Sequence, residues 1–249
     1  MIDNQAEQST YNLNRWYESY AGKLLARIEN QYLKEILGSC FGYYLLSAGH
    51  LYHAECLQHA KIKFRVLADV EVTRMRGIAP LMAIPEQLPI MNDSLDTLIL
   101  SHCMEFSPDP HLILREADRI LIPEGNLIIM GFNPYSLWGT IRLMRRKTST
   151  LPWSGNFISI NRIKDWLELL GFAITMQRHY YFRPPFQNRR LMRRLKFMEN
   201  LGHALKLPFG GGYMLVAKKR VSTFTPIKPV ARHRLFAPTV ARPVSAERR

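Results

Sequence analysis

The sequence predicts an α/β protein built on a seven-stranded, mostly parallel sheet with flanking helices. Three observations carry this. Leu95–Leu100 is dense in Leu, Ile and Thr, the pattern of a buried strand. A helical stretch, His111–Leu121, follows it, and Asn126–Met130 returns as a strand. Upstream, the apolar run from Phe41 ends at Gly49, as a strand does when it enters a turn. Strands alternating with helices point to parallel pairing.

Residues 13–37 read as one amphipathic helix, because Trp16, Tyr20, Leu24, Ile28 and Tyr32 recur every fourth position, and Gly38 and Ser39 stop it. The first strand follows, then a short helix over Ala54–Ala60. Phe64–Leu67 is a second strand, closed by Asp69, and Met82–Ile84 a short third before Pro85. Leu95–Leu100 is the fourth. Asp109 caps the next helix and Pro110 suits its first position. Asn126–Met130 is the fifth strand. Helices are expected at Leu137–Arg146 and Ile160–Leu170, and strands at Phe172–Phe182 and Tyr213–Lys218. Residues 183–212 form an insertion with a basic helix of its own. Residues 1–220 are expected to form one domain, with 13–37 as a helical extension. Residues 221–249, with four prolines and no periodicity, are expected to be a disordered basic tail.

Apolar residues are 47% and charged residues 22% of the 249, which excludes a wholly disordered chain and a fibre. Three widely spaced cysteines, Cys40, Cys56 and Cys103, exclude a disulfide framework and suit a reducing cytoplasm. No stretch is apolar enough over sufficient length to span a membrane. The net charge of +14 is concentrated. Residues 142–147, 183–206 and 218–249 carry +4, +6 and +8, leaving the rest at −4. Such segments attract phosphate groups, on nucleic acid or on an anionic membrane surface. They also serve as solvated surface.

Residues 88–134 carry a recognisable pattern: Leu88-Pro89, Ser94-Leu95-Asp96, Pro108-Asp109-Pro110, Arg119-Ile120-Leu121 and Pro123-Glu124-Gly125. It resembles the type 11 domain of class I S-adenosylmethionine-dependent methyltransferases. Phe41-Gly42-Tyr43 and the run from Gly131 to Gly139, with Pro152-Trp153, Asp165-Trp166-Leu167 and Arg183-Pro184-Pro185, are similar to the YafS-like methyltransferases of proteobacteria. The resemblance covers roughly residues 14–220. It implies a Rossmann-like class I methyltransferase fold with S-adenosylmethionine across the carboxyl ends of its parallel strands.

On that resemblance the cofactor-binding candidates are Ser47, Ala48, Gly49, Asp69, Ile84, Pro85, Ser101 and His102. Glycine at the first strand–helix turn lets a ligand approach the backbone. Here the turn has one glycine, and Leu51 stands where the family has a second. Asp69, twenty residues past Gly49, is placed to hold ribose hydroxyls. Ile84 stands where the family usually has an Asp toward the adenine. His102 is a candidate general base or, equally, a structural histidine. His50, His53 and Cys56 are too few for a closed zinc site, so no metal is expected. Asn133-Pro134-Tyr135 follows the fifth strand rather than the fourth, which argues against the Asn-Pro-Pro-Tyr motif of amino-group methyltransferases. Two functions result. The first is methyl transfer from S-adenosylmethionine to a small or lipid-like acceptor. The second is a methyltransferase-fold module that no longer uses the cofactor and binds nucleic acid or a protein through its basic segments.

Overall fold

The computed structural model describes residues 13–49, 51–69, 75–145, 152–186, 189–205 and 207–220. The sheet comprises β1 (Phe41–Ala48), β2 (Lys61–Asp69), β3 (Ala79–Met82), β4 (Leu95–Ser101), β5 (Leu121–Phe132), β6 (Phe172–Tyr180) and β7 (Gly212–Lys219). Their spatial order is β3-β2-β1-β4-β5-β7-β6. Pairing is parallel from β3 through β5, and β7 runs antiparallel to both β5 and β6. The first five strands therefore end at one edge of the sheet, and the chain reverses between β1 and β4. That reversal opens the crevice in which α/β folds bind ligands.

Alternation along the strands builds a core on each face. Leu98 and Leu100 of β4, Leu127 and Ile129 of β5 and Leu215 of β7 pack on one side. There they meet α2 (Pro110–Ile120) through Leu114 and Ala117, and α4 (Ile160–Leu169) through Ile163 and Leu167. Ile99, Ile128 and Val216 face the other side, toward Leu25 and Leu33 of α1 (Tyr20–Leu37). Asp109 caps α2 by accepting the His111 N–H at 3.0 Å, as its sequence predicts. Arg119 on α2 donates to the Ile90 and Leu88 carbonyls at 2.8 and 3.1 Å and so pins the segment that leads into β4.

Several boundaries differ from expectation. The helix predicted over 13–37 breaks at Glu18-Ser19, and Ser19 caps α1 through the Gly22 N–H. The turn is so tight that a Cβ on Gly22 would lie 2.5 Å from the Tyr17 Cα. The centre of the buried face is Leu25, Glu29 and Leu33, one position beyond the apolar stripe read from the sequence. The third strand lies at Ala79–Met82 rather than 82–84; Pro80 disguised it, and the strand tolerates proline because it is the sheet edge. The helix after β1 is a 3-10 segment, Leu51–His59. The insertion holds two short helices, α5 (Arg189–Arg194) and α6 (Lys196–Ala204), instead of one. Between β5 and α4 lies α3 (Leu137–Met144). The expected tail, 221–249, lies outside the described residues.

Candidate active site

A cavity sits at the carboxyl ends of β1, β2 and β4. Gly49, Asp69, Pro85, Ser101 and His102 all line it. Of the other predicted residues, Ser47 and Ala48 are buried within β1, paired with Leu67 and Ala68 of β2. Ile84 bridges to Gln87, and its neighbours Ala83, Pro85 and Glu86 supply the wall. Gly49 has φ +128, and a Cβ there would stand 2.2 Å from the Ser101 carbonyl oxygen. Only glycine lets the ends of β1 and β4 come this close.

Sequence reasoning missed Glu86. Its Oε1 accepts the Ser107 hydroxyl, while its Oε2 is buried with no hydrogen-bond partner among the described residues. A buried carboxylate oxygen left bare costs about 1–3 kcal/mol unless a ligand or water supplies a donor. Its sequence signal was a carboxylate two positions past Ile84. Asp69 presents a second carboxylate at the end of β2, only 3% exposed. Leu13 and Phe106 also line the cavity, whose volume is about 30 Å³. That is room for a water or two.

Behind the cavity lies a buried charge cluster that no local motif announces. His102 Nε2 is 2.8 Å from Glu29 Oε1 and its Nδ1 is 3.2 Å from Glu105 Oε1. Tyr180 and Tyr17 donate their hydroxyls to Glu29 at 2.8 and 3.1 Å, and the Phe132 N–H donates to Glu105 at 2.7 Å. Burial alone would lower the His102 pKa. The Glu29 carboxylate and the hydrogen bonds to Glu105 and Glu29 outweigh it and raise the value to about 10. With both ring nitrogens against carboxylates, the arrangement favours the imidazolium and suits His102 to a structural role more than to that of a general base. Burial likewise pushes the Cys103 thiol, on the same cavity wall, well above its ordinary range, with Glu105 and Glu86 adding to the effect. It stays protonated and is no nucleophile.

Asn133, in the tripeptide after β5, is structural. Its Oδ1 accepts the Tyr135 N–H, and its amide donates to the Pro208 and Gly210 carbonyls at 2.8 and 3.0 Å.

This strand order with a crevice at Gly49 defines the class I methyltransferase architecture, and comparison with known proteins agrees. Residues 38–129 match the type 11 methyltransferase domain. The YafS protein of Escherichia coli, itself uncharacterized, is 31% identical over 172 residues, 68% of this chain and 69% of YafS. A SAM-dependent methyltransferase of Thermotoga maritima superposes with a TM-score of 0.60 at 19% identity, over 86% of this chain and 98% of that one. A methyltransferase solved with the Haloferax volcanii Trm112 activator superposes at 0.61 and 16% identity, over 84% and 98%. The chain belongs to the YafS-like family of type 11 methyltransferase-domain proteins.

Proposed function

We propose that this chain binds S-adenosylmethionine in the cavity at Gly49 and transfers its methyl group to an acceptor. The observation that carries this is two cavity carboxylates, Asp69 and Glu86, beside a glycine that keeps the strand ends bare, with one oxygen of Glu86 unpartnered. Asp69 is suited to accept from ribose hydroxyls and Glu86 from a further donor of the nucleoside. The cofactor, once bound, supplies an electrophilic methyl on a sulfonium. The chain then has to hold the acceptor in line and keep water out. With Asp69 and Glu86 engaged by the cofactor and His102 holding its proton, no lining base is left over, so the acceptor has to arrive as a nucleophile. The cavity has to widen first.

Calorimetric titration with S-adenosylmethionine and S-adenosylhomocysteine tests this. Saturable binding is expected, with a gain of about 2.7 kcal/mol in stability at a hundredfold excess over the Kd. Asp69→Ala and Glu86→Gln should each weaken binding about tenfold, the loss of one hydrogen bond to a charged group. Absence of binding to folded protein at millimolar ligand overturns the assignment. The second reading, a module that has given up the cofactor, is favoured by the narrowness of the cavity, and that outcome would select it. The basic segments would then carry the function, on nucleic acid or on an anionic membrane.

A further inference from the structure

The insertion between β6 and β7 is anchored by a face that is already satisfied. Glu199 is buried, and its carboxylate accepts the Tyr181 and Phe182 N–H groups at 2.9 and 3.2 Å and pairs with Arg183 at 3.3 Å. Gly202 lies against the Phe182 ring, where a Cβ would come within 2.3 Å. This fixes the rotation of α6. Its opposite face carries Phe197 and Leu201, and Leu205 continues the row just past its end, four residues apart, at 60%, 51% and 60% exposure. Phe209 in the next turn is 58% exposed. Arg193, Arg194 and Lys196 stand exposed immediately before this apolar row.

Strand direction says where the row lies. β5 and β6 both run antiparallel to β7, so β6 delivers the insertion to the edge at which β1, β2, β4 and β5 end. That is the edge of the cavity. The helix α3 leaves β5 at the same edge, with Leu143 and Met144 largely exposed and Arg145 beside them. The Asn133 bonds to Pro208 and Gly210 tie the start of α3 to the turn that carries Phe209.

Large side chains on a helix face turned to water mark a surface that meets something apolar. Residues 183–206 carry +6, so that partner is also anionic. Nucleic acid uses the arginines and stacks on Phe197 and Phe209, but it leaves Leu201, Leu205, Leu143 and Met144 without an apolar partner. Acyl chains accept them, while arginine and lysine remain at headgroup level. We propose that α5, α6 and the turn at Phe209 form an interfacial docking surface for an anionic lipid bilayer. The surface works whether or not the cavity binds cofactor. If methyl transfer also holds, which rests on the reading above, docking turns the cavity edge toward acceptors dissolved in the membrane.

The test is cosedimentation of the full chain with vesicles of phosphatidylcholine alone, and with vesicles of equal parts phosphatidylcholine and phosphatidylglycerol. Binding to the mixed vesicles and little to the neutral ones is expected. Phe197→Ser with Leu201→Ser should lower the partition about tenfold or more. Arg193→Glu with Arg194→Glu should lower it by at least about thirtyfold on the mixed vesicles. All four side chains are exposed, so an unchanged urea midpoint verifies the fold of each variant. Wild-type protein that stays in the supernatant, or an F197S/L201S protein that binds like wild type, overturns the proposal. So does tight, steeply salt-dependent binding to a DNA duplex that is indifferent to F197S/L201S, which would make the surface a nucleic-acid one. A null calorimetric result with cofactor leaves this experiment untouched, so the two ideas fail separately.

Discussion

At Glu29 a single carboxylate organises three donors, Tyr17, Tyr180 and His102, from sequence positions as far apart as 17 and 180. The His102 pKa is raised from 6.5 to about 10 in the folded protein, so the native state holds a proton the unfolded chain releases earlier. The resulting stability is fully present below pH 6.5 and drains away as pH climbs toward about 10. Urea unfolding between pH 6.5 and 7.5, below the ordinary thiol and tyrosine range, should show stability falling by up to about 1.4 kcal/mol per pH unit. Glu29→Gln should cost about 3 kcal/mol, because it breaks a buried pair, and should flatten that pH slope. A slope unchanged in the variant would show that the imidazolium is held some other way. None of this was legible locally: Glu29 and His102 are 73 residues apart. The one hint was an acid between Leu25 and Leu33 at helical spacing.

Elements with strong periodicity were read correctly, and those with mixed signals were displaced. α2 was legible from its helical spacing, and β4 and β5 from continuous apolar runs of strands buried on both faces, although β5 begins at Leu121, five residues before the expected start. β3 was placed three residues late because Pro80 argues against a strand anywhere but at an edge, and edge position is a property of the sheet. The helical turn at 13–17 and α1 read as one helix because the apolar spacing continues across Glu18 and Ser19, where the backbone does not. Gly49 was legible as a turn residue, but its deeper reason, the Ser101 carbonyl, required β1 and β4 side by side. Gly49→Ala should therefore destabilise the protein by about 2 kcal/mol or more, through both the positive φ and the collision. Urea denaturation measures this; a loss below 1 kcal/mol would mean that the strand ends part easily.

At the scale of the molecule, the site is a small cavity at one edge of the sheet, lined in part by Leu13 from outside it. A chain that opens before it binds shows saturating association kinetics. In stopped-flow mixing with S-adenosylmethionine, the observed rate should plateau as ligand increases, and Leu13→Ala should raise the plateau. A strictly linear dependence would mean that the cavity admits ligand as it stands. The strand order also has a consequence for how the protein is made. The last of the described strands to be synthesised, β7, is the one inserted between β5 and β6, and among the described residues β6 pairs with it alone. Until the ribosome has delivered residues 212–219, the nascent chain holds one open sheet edge and one strand without a neighbour, both prone to pair with other chains. The completion of the sheet, and with it the rim where α3 meets the Phe209 turn, waits for residues 212–219 to emerge, and a helper that shields strand edges is needed longest in that interval.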